Sequence, residues 1–174
     1  SIGGGSAVGG WDHLKVLLAA KEYGIYDVKK IKYVSFDGGG DAVTQLLGGK
    51  VQAFTGDLSE AIGFVEAGDI RVLAVLSPDR IPGKFSSMPT AREQGINVIG
   101  ANWRGFYTPG KMSDDAYNYW ASAVKKVYDS PQWKKTMASS GLAPLDLTGK
   151  DFEKFVSNSV KSIETLSKEI GLIK

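Results

Sequence analysis

The chain has 174 residues, of which 43% are hydrophobic and 23% charged, an ordinary balance for a globular protein. Its formal charge of +2 comes from interspersed lysines and acidic residues, so no basic stripe favours nucleic acid as a partner. The absence of cysteine excludes disulfides, zinc–thiolate sites and cysteine nucleophiles. No apolar run approaches the roughly 18 residues of a membrane helix, so no direct membrane span is predicted.

The first hundred residues alternate predicted helices and strands. The stretch "WDHLKVLLAAKEYG" has leucines at helical spacing, and Gly24 is its predicted stop. Strands are predicted for "IKYVSF" and "VQAFTG", with a short helix from Ala42 to Leu47 between them. "LSEAIGFVEAG" predicts a helix with Ser59 as its N-cap and Gly68 past its end. "IRVLAVLS" is a nearly continuous apolar run, which predicts a buried central strand.

The remainder is predicted to be mostly helical. "SMPTAREQGI" predicts a short helix, and "INVIGANWRGFYTP" one or two strands. Beyond these, Ser113 is the predicted cap of a helix to about Tyr128, Pro131 opens another, and Thr148 starts a long last helix. The last helix has a predicted buried face made of Phe152, Phe155, Val156, Val160, Ile163 and Leu166. The pattern predicts an α/β fold with a mostly parallel sheet covered on both faces, followed by a helical region.

Glycine is the unusual component of the composition. The chain has twenty-two glycines, roughly twice the usual share of about 7%. Three glycine-containing loops, Gly3–Gly10, Gly38–Gly40 and Thr55–Ser59, each follow a predicted strand and precede a helix. Unpaired N–H groups and the helix dipole make such a turn suited to an anion, although a tight turn without a ligand has the same pattern. In a parallel sheet all three loops are expected at the carboxyl ends of the strands, where ligands bind.

The nucleotide-binding motifs are absent from these loops. The stretch "GSAVGG" lacks the second glycine of the dinucleotide fingerprint at the required place. No phosphate-binding loop with Gly-Lys-Ser/Thr occurs, since Gly49 and Lys50 are followed by Val51. Nucleotide binding is therefore disfavoured.

His13 and Arg104 are the side chains most suited to hold a carboxylate. His13 is the only histidine; it is either a hydrogen-bond donor to a ligand or a structural residue, and alone it cannot build a multi-histidine metal site. Arg104 lies between Trp103 and Gly105 and either clamps a carboxylate or forms a structural ion pair. A hydrolase using Ser6 and His13 remains an alternative, without a nucleophile-elbow pattern to support it.

Long ordered motifs make the chain resemble one family. They are "GGGSAVGGWDHL", "YVSFDGGGDAVTQLLGGKVQA", "GDLSEAIGFVEAGDIRVLAVLSPDR", "MPTAREQGINV" and "ANWRGFYTPGKMS". The set closely resembles tripartite tricarboxylate transporter substrate-binding proteins, the TctC or Bug type. The resemblance covers essentially the whole chain.

The resemblance implies a type II periplasmic solute-binding fold, with two α/β lobes joined by a hinge and a ligand cleft between them. It implies a binding protein without a cofactor or enzymatic activity, which captures an organic carboxylate outside the cytoplasmic membrane and delivers it to a membrane permease. Citrate and other tricarboxylates are the favoured ligands. The expected ligand-binding residues are Ser6, Gly9, Gly10, His13, Gly38, Gly39, Gly40, Gly56, Ser59 and Arg104.

The resemblance also implies a division of the chain. Residues 1–101 would form the second lobe with the glycine-rich loops. Residues 102–174 would form a hinge strand and a helical segment returning to the first lobe. Most of the N-terminal lobe is expected to precede the segment present here, and no signal peptide is seen in it. A cytoplasmic effector-sensing domain shares the two-lobed architecture, but no helix-turn-helix is visible in these residues.

Overall fold

The structure of the protein is a computed structural model that describes residues 1–173. Its strands are β1 (Ile2–Gly4), β2 (Tyr33–Ser35) and β3 (Ala53–Thr55). Its α-helices are α1 (Trp11–Glu22), α2 (Gly39–Leu47), α3 (Leu58–Ala67), α4 (Asp114–Asp129), α5 (Pro131–Ser139) and α6 (Gly149–Glu169).

The three strands form one parallel sheet in the order β2-β1-β3. The chain leaves β1 through α1 to reach β2, then returns through α2 across β1 to reach β3. Because such crossovers are right-handed, α1 and α2 lie on opposite faces of the sheet. Helix α2 packs on β1 and β3, with Ala42 and Val43 completely buried. The predicted α/β class with a parallel sheet is confirmed.

The prediction of a central strand over "IRVLAVLS" is wrong. Residues 70–77 form no strand, and Val75 makes only an isolated parallel bridge with Thr90. Leu73 is 62% exposed, whereas Val75 packs with Ile81 and Phe85 in a small hydrophobic cluster beside α3. A continuous apolar run predicts burial, but it does not specify whether a neighbouring strand pairs with it.

Two further predictions of secondary structure also fail. "SMPTAREQGI" contains only a three-residue 3-10 helix at Arg92–Gln94, and residues 96–109 form no strand. The extended segment 102–107 nevertheless alternates its side chains. Trp103 and Tyr107 pack on the aromatic rings of α6, whereas Asn102 and Arg104 reach Asp57. The division into lobes at residue 101 stays a prediction.

The helical region after residue 110 matches the prediction closely. The hydroxyls of Ser113 and Ser130 accept backbone hydrogen bonds at the starts of α4 and α5. Helix α6 packs on α1 through Leu166 and Ile170, which share a core with Leu14, Leu17 and Val28. Only part of the predicted apolar face of α6 is buried, since its middle position, Val160, is 57% exposed.

Candidate ligand-binding site

The three glycine-containing loops lie at one edge of the sheet, as the sequence predicts. The carboxyl ends of β1, β2 and β3 are in register. Loop 1 (residues 5–10), loop 2 (residues 36–38) and loop 3 (residues 56–57) lead from these ends into α1, α2 and α3. The strand order places the topological switch point between β1 and β3. Loops 1 and 3 therefore border the crevice where open α/β sheets bind ligands.

Ser6 joins loop 1 to its surroundings by hydrogen bonds through both its hydroxyl and its carbonyl, and its hydroxyl also lies 3.4 Å from the hydroxyl of Tyr33. Its hydroxyl accepts from the backbone N–H of Asp12 at 3.1 Å, which serves an unpaired donor in the first turn of α1. Its carbonyl accepts from the hydroxyls of Tyr33 at 2.8 Å and Ser35 at 2.9 Å. The Ser6 side chain is thus already engaged, and its predicted contact with a ligand stays a prediction.

His13 is a neutral, buried ring beside loop 1. Its Nδ1 accepts a hydrogen bond from the backbone N–H of Gly9 at 3.0 Å, so the ring proton is on Nε2. The ring stacks on Tyr33 with centroids 4.7 Å apart, and burial lowers the pKa of His13 below its usual 6.5. Gly9 has φ +87°, which favours glycine, and Gly10 is the N-cap of α1.

Acid should destabilise the protein through His13. Because the folded pKa is lowered, the unfolded chain binds more protons below pH 6.5, so stability falls as the pH drops from about 6.5 towards the folded pKa. Protonation would also turn Nδ1 into a donor facing the Gly9 N–H. Urea unfolding at pH 7.5 and pH 5 should show a larger loss for the natural chain than for His13→Asn, which keeps an acceptor without titrating. Equal losses in the two proteins would contradict the assignment of a neutral, buried ring.

The glycines after β2 allow loop 1 to approach the backbone at the start of α2. A Cβ on Gly5 of loop 1 would lie 2.5 Å from the backbone nitrogen of Gly39 and 2.6 Å from the carbonyl carbon of Gly38. The two loops therefore pack backbone against backbone. The N–H of Gly39 donates to the carboxylate of Glu60 at 3.3 Å, whereas a Cβ on Gly40 would meet no atom within 4 Å. A carboxylate of the protein itself thus occupies part of the predicted anion site.

Loop 3 corrects the predicted cap of α3. The N-cap is Asp57, and Ser59 is the second residue of the helix, with an exposed side chain. Glu60 accepts from the backbone N–H of Asp57 at 3.0 Å, the returning half of a capping box. The Asp-x-x-Glu spacing was the signal that identifies this cap in the sequence. Gly56 lies between these residues and the ring of Phe54.

Arg104 forms an ion pair with Asp57, the N-cap residue of α3 in loop 3. Its guanidinium donates to the Asp57 carboxylate at 2.9 Å and to the side chain of Asn102 at 2.5 Å. The amide of Asn102 donates to both oxygens of the same carboxylate, at 2.8 and 3.0 Å. Because the Arg104 side chain is 72% exposed, an incoming anion can approach it. The structural ion pair is present, and the ligand clamp stays a prediction.

A buried ion pair that was not predicted from the sequence lies beside loop 3. Lys15 and Asp12 on α1 are joined at 2.9 Å, with only 5% and 12% of their side chains exposed. The same ammonium lies 3.4 Å from the carbonyl of Gly56, and the hydroxyl of Thr55 donates to the Asp12 carbonyl at 3.2 Å. The pair therefore links the start of α1 to the end of β3 across the switch point. No local sequence signal distinguishes it from a solvent-exposed pair.

Within residues 1–173, no group of three or more His, Cys, Asp or Glu side chains is placed to hold a metal ion. In the same part of the chain, no helix has both the length and the apolar character needed to cross a membrane.

The fold, with three loops at the carboxyl ends of its parallel strands, is that of a ligand-binding α/β protein of the periplasmic solute-binding type. Residues 6–172 match the model of the tripartite tricarboxylate transporter family receptor, TctC, and the chain belongs to that family. The family is one of receptors, which confirms the prediction of a binding protein rather than an enzyme.

Two solved structures share the fold. A TctC solute-binding protein from Polaromonas, solved without ligand, has 23% identity and a TM-score of 0.71 over 99% of this chain and 57% of its own. An R. palustris protein solved with adipate has 24% identity and a TM-score of 0.81 over 98% of this chain and 56% of its own.

Curated relatives are similarly distant. A UPF0065 protein of Cupriavidus necator, from the gbd 5′ region, is 24% identical over 93% of this chain and 48% of its own length. Protein BugT of Bordetella pertussis is 24% identical over 81% of this chain and 43% of its own. The chain thus spans about half the length of the curated relatives it matches.

Proposed function

We propose that the protein is an extracytoplasmic receptor that binds a small organic carboxylate and delivers it to the permease subunits of a tripartite transporter. The observation that carries this proposal is the convergence of three strand-to-helix loops at the carboxyl edge of the sheet. The family match supports a receptor role, and a protein with the same fold was solved with adipate. Backbone N–H groups at the helix starts would hold the carboxylate oxygens.

The charges at the edge favour a ligand with few carboxylates. Lys15 is paired with Asp12, and Arg104 with Asp57. Glu60 adds a further carboxylate on the N–H groups of loops 2 and 3. A tricarboxylate would bring more negative charge to an edge where these cations are already neutralised. We therefore rank dicarboxylates of the adipate type ahead of citrate, which the family resemblance favoured.

The hydrolase alternative loses its geometric support. Ser6 accepts from the Asp12 N–H through its hydroxyl, and His13 accepts from Gly9 through Nδ1. Among the described residues no hydrogen bond joins Ser6 to His13, so the base is not directed at the nucleophile. A receptor needs neither group to be activated.

Titration calorimetry on the longest natural form containing this chain tests the proposal. The panel contains adipate, succinate, glutamate, citrate and tricarballylate. Glu60→Gln should tighten carboxylate binding about fivefold, because like charges a few ångströms apart repel by about 1 kcal/mol even in water. Glu66→Gln, which alters an exposed pair with Lys84, is the matched control. No heat from any member of the panel would reject the carboxylate assignment, and an unchanged affinity in Glu60→Gln would reject the location.

A further inference from the structure

An apolar cavity beside His13 lies between α1, β2 and the residues that follow α6. Its volume is about 260 Å³. Six aliphatic side chains contribute to its wall, namely Val8, Leu17, Val28, Ile31, Ile170 and Leu172. A dry apolar cavity of about 150 Å³ is already large enough to bind benzene. The space therefore admits a single ring or a short hydrocarbon chain.

The polar groups of this cavity come from two rings. His13 is only 8% exposed and lines the cavity, and because its Nδ1 accepts from the Gly9 N–H, its single donor is Nε2–H. The Nε2 atom has no hydrogen-bond partner among the described residues. Tyr33 also lines the cavity, but its hydroxyl proton is used on the Ser6 carbonyl. Among the described residues that line the cavity, His13 thus has the one side-chain donor without a partner.

The wall also determines which ligands are unsuitable. Among the side chains that the structure describes, no charged one belongs to the cavity lining. A carboxylate placed there would lose its hydration without gaining a cation from the described residues, which is strongly unfavourable. A pure hydrocarbon would leave the Nε2–H of His13 buried without an acceptor, which is also unfavourable. The complementary molecule is uncharged, mainly hydrocarbon, and carries one acceptor.

We propose that this cavity binds a small uncharged ketone or ester, with its carbonyl oxygen accepting from His13 Nε2–H and its hydrocarbon part against the six aliphatic side chains. The site is distinct in chemistry from the carboxylate edge. Leu172, just beyond α6, lies 3.7 Å from where a Cβ on Gly9 would be. The end of α6 thus forms the wall nearest loop 1.

The test uses the single histidine as the reporter. Cyclohexanone is titrated into the ¹⁵N-labelled chain while the ring resonances of His13 are recorded by NMR, with methylcyclohexane as a probe without an acceptor. Cyclohexanone should shift the Nε2 resonance and bind about two- to tenfold more tightly than methylcyclohexane, as one net hydrogen bond implies. Val8, which is 63% exposed at the cavity wall, is replaced by tryptophan to fill the space, with Leu73→Trp as the exposed control.

Three results would overturn the proposal. The first is no shift of His13 with cyclohexanone up to its solubility. The second is an equal response to methylcyclohexane, which would make the acceptor irrelevant. The third is an undiminished cyclohexanone shift in Val8→Trp, which would place the ligand elsewhere. Adipate is added separately, and a shift of Nε2 by adipate alone would assign His13 to the carboxylate site instead. If calorimetry detects no binding of any carboxylate, the NMR test with cyclohexanone still decides this proposal.

Discussion

Replacing Lys15 by methionine should lower the free energy of unfolding by about 3–5 kcal/mol, the usual cost of leaving one member of a buried ion pair without its partner. Asp12 would keep a carboxylate with only 12% of its side chain exposed and lose an ammonium at 2.9 Å. The contact of Lys15 with the Gly56 carbonyl would be lost as well. Urea unfolding followed by circular dichroism at pH 7.5 measures the change.

Two further variants make the Lys15 result specific. Lys21→Met removes another lysine of α1, but its pair with Glu169 has 40% and 48% of the side chains exposed, so the expected cost is about 0–1 kcal/mol. The double variant Asp12→Asn with Lys15→Met should recover much of the loss, because no unpaired charge remains. If Lys15→Met lowers the free energy of unfolding no more than Lys21→Met does, the Asp12–Lys15 pair is solvated and does not hold α1 to loop 3.

Much of the fold follows from local signals in the sequence. Gly24 and Gly68, predicted to end α1 and α3, have positive φ values of +95° and +81° at those ends, a conformation that glycine adopts without strain. Ser113 and Pro131 likewise mark the starts of α4 and α5. These signals act within one turn of chain, so they need no knowledge of tertiary contacts.

The errors concern interactions between distant residues. Strand formation at residues 70–77 needs a neighbouring strand, and apolar character alone cannot supply one. The burial of Lys15 depends on loop 3, 41 residues away. The carboxylate on the N–H of Gly39 comes from Glu60, 21 residues further along. Local pattern predicted an anion site at that helix start, but it could not reveal that the protein supplies an anion itself.

The second large effect is expected for Gly5→Ala. The added methyl group would lie 2.5 Å from the nitrogen of Gly39 and 2.6 Å from the carbonyl carbon of Gly38. Both neighbours are backbone atoms, so no side-chain rotation relieves the clash and loops 1 and 2 must separate. Overpacking of this kind costs about 1–3 kcal/mol, and the rigid neighbours place Gly5→Ala at the upper end. Urea unfolding gives the stability change.

Gly40→Ala is the matched control, because it adds the same methyl group in the adjoining helix α2. A Cβ there meets no atom within 4 Å, and alanine is favoured over glycine in a helix by about 1 kcal/mol. The two variants should therefore move the unfolding midpoint in opposite directions. Separation of the loops also moves the N–H of Gly39 away from loop 1, so Gly5→Ala should also weaken adipate binding. Equal midpoints would mean that the loops do not pack backbone against backbone, and the close approach of β1 and α2 would lose its role in shaping the site.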